Sequence, residues 1–177
     1  AKGWLGDRGC EARGPRGVLR QRGAGQVSLY HQFAGKRDLA ASALEEVNAG
    51  ARADLDLRIH ADLAPLARIH AYLDAPRDAL KGCRLGRLAN EQTIFDPVLG
   101  PIVADYFKHI EEHLSRAVQD AKKSGDLPNS LKPKEVSRML IATVQGGYVL
   151  SRVHKDADAL GEAIHGAKAM LRALAQR

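Results

Sequence analysis

Residues 27–39 of the chain read Val-Ser-Leu-Tyr-His-Gln-Phe-Ala-Gly-Lys-Arg-Asp-Leu, and this stretch decides the fold. Leu29 and Phe33 are four residues apart, so they place an apolar stripe on one face of a short helix. Gly35 is expected to end that helix, because glycine adopts the left-handed C-terminal conformation without a Cβ clash. Asp38 falls in the first turn of the next helix, where a carboxylate suits the positive end of the helix dipole. The stretch therefore predicts a short helix, a turn and the beginning of a long helix.

Six residues of this stretch occupy the fixed positions of a known pattern: Ser28, Leu29, Tyr30, Phe33, Lys36 and Leu39. In register, they resemble the signature Ser-x-Gly-Ser-Leu-Tyr-x-x-Phe-x-x-Lys-x-x-Leu of the TetR (tetracycline-repressor-like) family of bacterial transcription regulators. The resemblance implies an all-α fold with an N-terminal helix-turn-helix DNA-binding module and a C-terminal helical body. It assigns residues 1–45 to the DNA-binding module and residues 46–177 to the ligand-binding and dimerisation domain.

The composition limits the class of protein. A chain of 177 residues forms one large domain or two small ones. It is 45% hydrophobic but only 5% aromatic, a balance that favours packed helices over a β-sandwich. The longest apolar run, residues 139–150, is shorter than the ~20 residues of a membrane span. The N-terminus does not read as a signal peptide, and the two cysteines fit a reducing compartment. We therefore expect a cytoplasmic protein without a membrane partner.

The excess positive charge lies entirely in the N-terminal segment. Residues 1–37 contain eight lysines and arginines against two acidic residues, a surplus of six. Residues 38–177 contain nineteen of each sign, so the whole net charge of +6 belongs to the segment that carries the motif. Neutralising DNA phosphates requires such a block, although a flexible basic tail would give the same count.

By resemblance to the family, two groups of residues contact DNA. The first group reads the base edges, and the second contacts the phosphate backbone: Gln26, Val27 and Ser28, then Tyr30, His31 and Lys36. A glutamine side chain can pair with an adenine edge, whereas phosphate contacts position the module without carrying sequence information. The implied partner is double-stranded DNA, read by a homodimer as a palindromic operator.

The segment upstream of the motif keeps the family's spacing but loses part of its chemistry. Short helices are expected near residues 15–22 and 26–32. Gly14-Pro15-Arg16-Gly17 occupies the start of the first helix, where glycine and proline weaken helix formation. This departure motivates an alternative function, a helical ligand-binding dimer that has lost specific DNA recognition.

Downstream of the motif, apolar periodicity and helix-breaking residues predict six helices. Val98 and Ile102 begin a series of apolar residues that recurs every four positions, and Gly125 is expected to end that helix. Pro65 suits the first turn of a helix, because the N–H that proline lacks has no helical partner there. The expected helices span residues 36–58, 64–72, 82–93, 98–123, 133–153 and 156–175.

The last two helices carry apolar residues at alternating spacings of three and four, which is typical of a coiled-coil seam. A four-helix bundle with a second copy would bury this seam, as in TetR-like proteins, and a bundle within one chain is the alternative. A second apolar edge of Met139, Val149 and Val153 is expected to pack on the body. The residues predicted at the dimer interface are Leu140, Thr143, Gly147, Leu150, Leu160, Ile164, Ala167 and Leu171.

The resemblance also implies a small-molecule chamber among the middle helices. Residues there would bind a small, partly apolar inducer, although core packing explains most of them equally well. Cys83, which has Lys81 and Arg84 beside it, is either a reactive thiol or a buried structural one. The predicted pocket residues are Cys83, Leu88, Asn90, Phe95, Tyr106, His109, Ile110 and Gln145.

His109 and His113 are four residues apart, a spacing that places two metal-binding imidazoles on one helical face. Residue 110 is isoleucine, so the HExxH order of zinc proteases is not met, and the sequence shows no third ligand. No nucleophile elbow, phosphate-binding loop or dinucleotide motif follows a predicted strand. We therefore expect no catalytic residue, no metal and no cofactor. The competing hypothesis is a small helical enzyme or metal protein built around the two histidines.

The residues and the resemblance together predict a ligand-responsive transcription regulator. We expect a repressor that leaves a palindromic operator when a small, partly apolar inducer binds the body. Inducer binding would shift the helix over residues 36–58 in each subunit and separate the two reading helices from adjacent major grooves.

Overall fold

The computed structural model describes residues 35–175 of the chain. Within that range the regular structure is entirely helical, which confirms the all-α expectation, and no helix has the length and apolar character that crossing a membrane requires. The short helices expected near residues 15–22 and 26–32 lie outside the described residues. In chain order the elements are α1 (Lys36–Arg58), α2 (Pro65–Leu73), α3 (Arg84–Leu88), a 3-10 turn (Gln92–Phe95), α4 (Leu99–Lys123), α5 (Pro133–His154) and α6 (Asp158–Ala175).

Local sequence signals set the ends of most helices. α1 carries Asp38 in its first turn and Arg58 in its last, and each charge suits the partial charge of that end of the helix dipole. α2 begins at Pro65, as expected for a residue that needs no N–H partner. α4 ends at Lys123, two residues before Gly125, whose φ of +83° cannot continue a right-handed helix. The predicted extents of α1, α2, α4, α5 and α6 are confirmed to within about two residues.

The helix expected over residues 82–93 is wrong in extent, because α3 covers only one turn and a separate 3-10 turn follows it. Asn90 accounts for the break. Its Nδ2 donates to the carbonyl of Gly86 at 3.3 Å, the acceptor that its own N–H would use in a continuing α-helix. That N–H donates instead to the carbonyl of Arg87 at 3.1 Å. Asparagine side chains compete with the backbone in this way, and the helix stops.

The chain forms two compact units. Of the described residues, the first comprises 35–51 and 83–106. Its fully buried side chains include Leu44, Leu85, Leu88 and Val103. The second unit comprises Arg52–Gly82 and Phe107–Arg177, and its fully buried side chains include Ile69, Leu73, Ile110, Leu114 and Leu140. The functional boundary expected near residue 45 stays a prediction.

α5 and α6 pack against each other at close range within the second unit. A Cβ at Gly147 would lie 2.6 Å from Cδ1 and 3.2 Å from Cα of Leu160, closer than packed side chains normally approach. One turn further along α5, Ser151 is fully buried, and its Oγ accepts the N–H of Leu160 at 3.0 Å. This bond satisfies one of the free N–H groups in the first turn of α6. Glycine at 147 and serine at 151 therefore set how closely the two helices approach.

This packing changes the roles of the two apolar faces of α5 and α6. Within the single chain, five of the eight residues predicted at the dimer interface are buried: Leu140, Gly147, Leu160, Ala167 and Leu171. Thr143 and Ile164 are half-buried, and only Leu150 is exposed. Met139, Val149 and Val153, which were expected to pack on the body, are instead 41%, 56% and 69% exposed. The expectation that these three residues pack on the body is wrong. Apolar spacing shows that α5 has two apolar faces, but it does not show which of the two is covered by the rest of the same chain.

Candidate functional site

The residues expected to contact DNA lie outside what the structure describes. Gln26, Val27, Ser28, Tyr30 and His31 precede the described range, and of Lys36 only the backbone, at the start of α1, is described. Their DNA contacts remain predictions. The described residues do define how the end of the motif is attached to the helical body, because α1 begins inside the motif.

Asp96 links the start of α1 to the start of α4 within the first unit. Its Oδ1 accepts the N–H groups of Val98 and Leu99 at 2.8 and 3.0 Å, as a residue capping a helix N-terminus does. The same oxygen accepts Nε and Nη2 of Arg37 at 3.3 and 3.1 Å. The N–H groups of Leu99 and Val98 lower the pKa of Asp96, and Arg37 lowers it further. One ionised carboxylate therefore caps α4 and holds the second residue of α1.

A second polar contact joins the middle of α1 to α4, also within the first unit. Asn48 is 7% exposed, and its Nδ2 donates to Oδ2 of Asp105 at 2.8 Å. Its Oδ1 is excluded from solvent and has no hydrogen-bond partner among the described residues. Oε2 of Glu91, in the same unit, is likewise buried without a hydrogen-bond partner among the described residues. A buried acceptor left unsatisfied costs about 1–3 kcal/mol, so each oxygen can accept a further hydrogen bond.

The predicted pocket residues differ in exposure and belong to both units. Leu88 and Ile110 are buried, whereas Cys83, Tyr106, His109 and Gln145 are half-buried. Phe95 lies in the 3-10 turn and is 80% exposed in the single chain, so its assignment to the chamber stays a prediction. Asn90 is exposed, and its amide is already bonded to Gly86. The chamber as a whole stays a prediction.

Cys83 has a structural role at the start of α3. Its Sγ accepts the N–H of Gly86 at 3.2 Å, so the thiol occupies the position of a helix N-cap. This contact agrees with the structural alternative for the thiol. The reactive alternative remains untested.

Asp56, His109 and His113 form a compact cluster in the second unit. Oδ1 of Asp56 lies 2.6 Å from Nε2 of His109 and 3.0 Å from Nε2 of His113. The two imidazole centroids are 4.6 Å apart. Burial lowers the pKa of His113, the neighbouring His109 acts in the same direction, and Asp56 opposes both. Sequence reasoning found the two histidines but missed Asp56, which is 53 residues before His109 and has no local signal.

Two surface clefts of the second unit contain none of the predicted pocket residues. One, of about 490 Å³, lies beside the end of α4 and is lined by Lys122, Gly125, Leu127, Pro128, Asn129, Ser130, Leu174 and Ala175. The other, of about 590 Å³, is lined by Pro76, Arg77, Asp78, Ala79, Leu80 and Ala157. Neither cleft brings together a set of groups that would bind a specific ligand.

Comparison with known families assigns the helical body. Residues 64–167 match the family described as "Tetracyclin repressor-like, C-terminal domain", and the match covers more than half of the chain. The chain belongs to this family. The resemblance inferred from residues 27–39 is therefore confirmed by residues that the motif does not contain. Regulators of the TetR family bind DNA and dimerise.

Solved structures share the fold of this TetR-family chain at low sequence identity. The Escherichia coli protein NemR, in its reduced form, has a TM-score of 0.83 and 20% identity over 95% of this chain and 91% of its own. A TetR regulator of Chloroflexus aurantiacus has a TM-score of 0.82 and 20% identity, covering 94% and 87%. The TetR regulatory protein of Rhodobacter sphaeroides has a TM-score of 0.79 and 19% identity, covering 92% and 90%. No curated protein matches the chain.

The double role of Asp96 predicts a graded response to substitution. Asp96→Asn keeps an oxygen that can cap α4 but removes the ionic partner of Arg37, whereas Asp96→Ala removes both contacts. The melting temperature, followed by circular dichroism, is expected to fall in the order wild type, Asp96→Asn, Asp96→Ala. Asp62→Ala, which changes a side chain that is 98% exposed, is the control. If Asp96→Ala melts at the same temperature as this control, Asp96 does not have the role assigned to it.

Proposed function

We propose that the chain is a homodimeric, ligand-responsive transcription regulator, a repressor that a small, partly apolar inducer releases from a palindromic operator. The observation that carries this proposal is the family match over residues 64–167, downstream of a DNA-binding signature that ends in the first residues of α1. The surplus of six positive charges in residues 1–37 supports DNA as the partner. Such a regulator acts in the cytoplasm as a binding protein, with no catalytic role.

In this proposal, the residues of the motif divide into those that contact DNA and one, Arg37, that attaches α1 to the body. Gln26, Val27 and Ser28 read bases, while Tyr30, His31 and Lys36 contact phosphates. Arg37 is already paired with Asp96, so it anchors the helix rather than the DNA. The phosphate-contacting end of the motif is thus adjacent to a residue fixed to the body.

The same contact offers a route for inducer control. A ligand that displaces the first turn of α4 also displaces Asp96, and with it Arg37 and the start of α1. The buried Oδ1 of Asn48 and Oε2 of Glu91 are hydrogen-bond acceptors. They support a ligand that is mostly apolar and carries hydrogen-bond donors. Such a ligand regulates DNA binding only if it binds the DNA-free arrangement more tightly than the DNA-bound one.

The dimer is proposed to form through the exposed apolar face of α5 and α6. Met139, Val149, Leu150 and Val153 on α5 and Met170 on α6 are all at least 41% exposed. Gly146 and Gly166, also on these helices, have open space above them, so the backbone of a neighbouring helix can come close. Exposed apolar residues grouped on two packed helices often mark a protein–protein contact, and a two-fold axis would bury them against the same residues of a second copy.

The alternative is a helical ligand-binding dimer that has lost specific DNA recognition. Gly14-Pro15-Arg16-Gly17 supports it, because this sequence weakens the first short helix of the expected DNA-binding module. The two proposals share the body and the dimer and differ only in whether the chain binds an operator.

DNA binding is expected to weaken steeply with salt, and Lys36→Ala is expected to weaken it further. Removing one phosphate contact should lower the affinity for all sequences and reduce the slope of log affinity against log salt by about 1. Fluorescence anisotropy with promoter fragments from the source genome measures both quantities. Lys108→Ala, at an exposed lysine of α4, is the control and should leave the slope unchanged. Failure to bind any fragment at low salt would favour the alternative function.

Val149→Glu is expected to convert the dimer into a monomer. Its side chain is 56% exposed in the single chain, so a carboxylate there is tolerated by the fold but would be buried without a partner in the dimer. Sedimentation at micromolar concentration measures the change. Leu57→Glu, at a leucine of α1 that is 80% exposed, is the matched control and should remain dimeric. A dimeric Val149→Glu variant would place the interface elsewhere.

A further inference from the structure

The cluster of Asp56, His109 and His113 places three metal-binding groups at one point. The ligand atoms that these residues offer all lie within 4.8 Å of one another. In a tetrahedral site with bonds of about 2.0–2.1 Å, neighbouring ligand atoms are about 3.3 Å apart. The distances of 2.6 and 3.0 Å from Oδ1 of Asp56 to the two Nε2 atoms therefore need to open by less than 1 Å. The two imidazole nitrogens are at most 4.8 Å apart, so rotation of the side chains brings all three ligand atoms around one ion.

The surroundings of the cluster favour an ion over a simple surface contact. The side chains of His109 and His113 are 13% and 20% exposed, so α4 holds both imidazoles in place. Asp56 is 50% exposed, which leaves a path for an ion to enter from solvent. Arg58, two residues after Asp56 on α1, donates two hydrogen bonds to Asp54.

We propose that Asp56, His109 and His113 bind a divalent transition-metal ion, with Zn²⁺ as the reference ion. Two imidazole nitrogens and one carboxylate oxygen form a ligand set that suits Zn²⁺, Co²⁺ or Ni²⁺, whereas Mg²⁺ prefers oxygen ligands alone. Three protein ligands leave a fourth position for water or another small ligand. His109 is also among the predicted pocket residues, but metal binding is measured without DNA or inducer and so holds or fails independently of the proposed function.

A bound ion would fasten the end of α1 to α4. Asp56 lies two residues before the end of α1, and both histidines lie on α4, so the ion would connect two helices that are far apart in sequence. Because the ligands come together only in the folded chain, the ion stabilises the folded state, and the melting temperature rises with its concentration. The metal-free alternative is a hydrogen-bonded cluster in which one carboxylate oxygen serves both imidazoles.

Metal binding to the full, untagged chain tests the proposal directly. The chain is first stripped with a chelator, and Zn²⁺ binding is measured by equilibrium dialysis and by the change in melting temperature. Co²⁺ then reports the coordination through its visible absorption. The expected result is one ion per chain in the cluster, a higher melting temperature with Zn²⁺ and no competition from Mg²⁺. His109→Gln, His113→Gln and Asp56→Asn should each lower the affinity at least about tenfold, as loss of a metal-orienting group does.

His165→Gln is the matched control, because His165 is an exposed histidine of α6 outside the cluster. Its affinity for Zn²⁺ should equal that of the unmodified chain. If either histidine variant does not fold, Asp56→Asn decides the question, since its side chain is half exposed and its shape is conserved. The proposal is overturned if Zn²⁺ binds the folded Asp56→Asn chain as tightly as the unmodified one. It is equally overturned if Zn²⁺ leaves the melting temperature unchanged, in which case the cluster is only hydrogen-bonded.

Discussion

The directional polar contacts between α1 and α4 are the constraint on which the rest of the structure depends. Apolar burial is not directional, so a face such as that of Ala40, Leu44 and Val47 specifies the position of a helix along its axis less sharply than a hydrogen bond does. Hydrogen bonds, including those between charged groups, weaken steeply when their distance and angle depart from the preferred values, and therefore they fix the position along the helix axis. Two such contacts lie in the first unit and one in the second: Arg37 with Asp96, Asn48 with Asp105, and Asp56 with His109 and His113.

These contacts matter for function because α1 begins inside the motif that carries the DNA-binding signature. The start of α1 is attached to the capped end of α4, and α4 belongs to the helical body that matches the regulator family. In the middle contact, the buried Oδ1 of Asn48 has no hydrogen-bond partner among residues 35–175, so the proposed ligand could bind there by donating to it. A regulator needs one element that both of its sites can displace, and in the proposed function that element is α1 with its attachments to α4.

Local features were predictable from the sequence, and contacts between distant residues were not. Pro65, Gly125 and the apolar period of α4 gave the helix limits, because each acts within a turn or two of its own position. Asp56 and Asp96 could not be paired with their partners, since 53 and 59 residues separate them. The side chain of Asn90 ends a predicted helix by bonding to the carbonyl of Gly86. Helix propensity gives only the average behaviour of asparagine and does not predict this bond. Adjacent glycines at 146 and 147 look alike in sequence, yet Gly147 is packed against α6 and Gly146 is open.

The central claim is that ligand binding in the body and DNA binding by the N-terminal module are coupled. A panel of small apolar hydrogen-bond donors is first screened for a compound that raises the melting temperature of the full chain. The most direct measurement is then the affinity of the chain for its operator with and without that compound. Such a compound is expected to lower DNA affinity, with a coupling factor of roughly 5–150. A compound that stabilises the chain and leaves its DNA affinity unchanged would contradict this coupling.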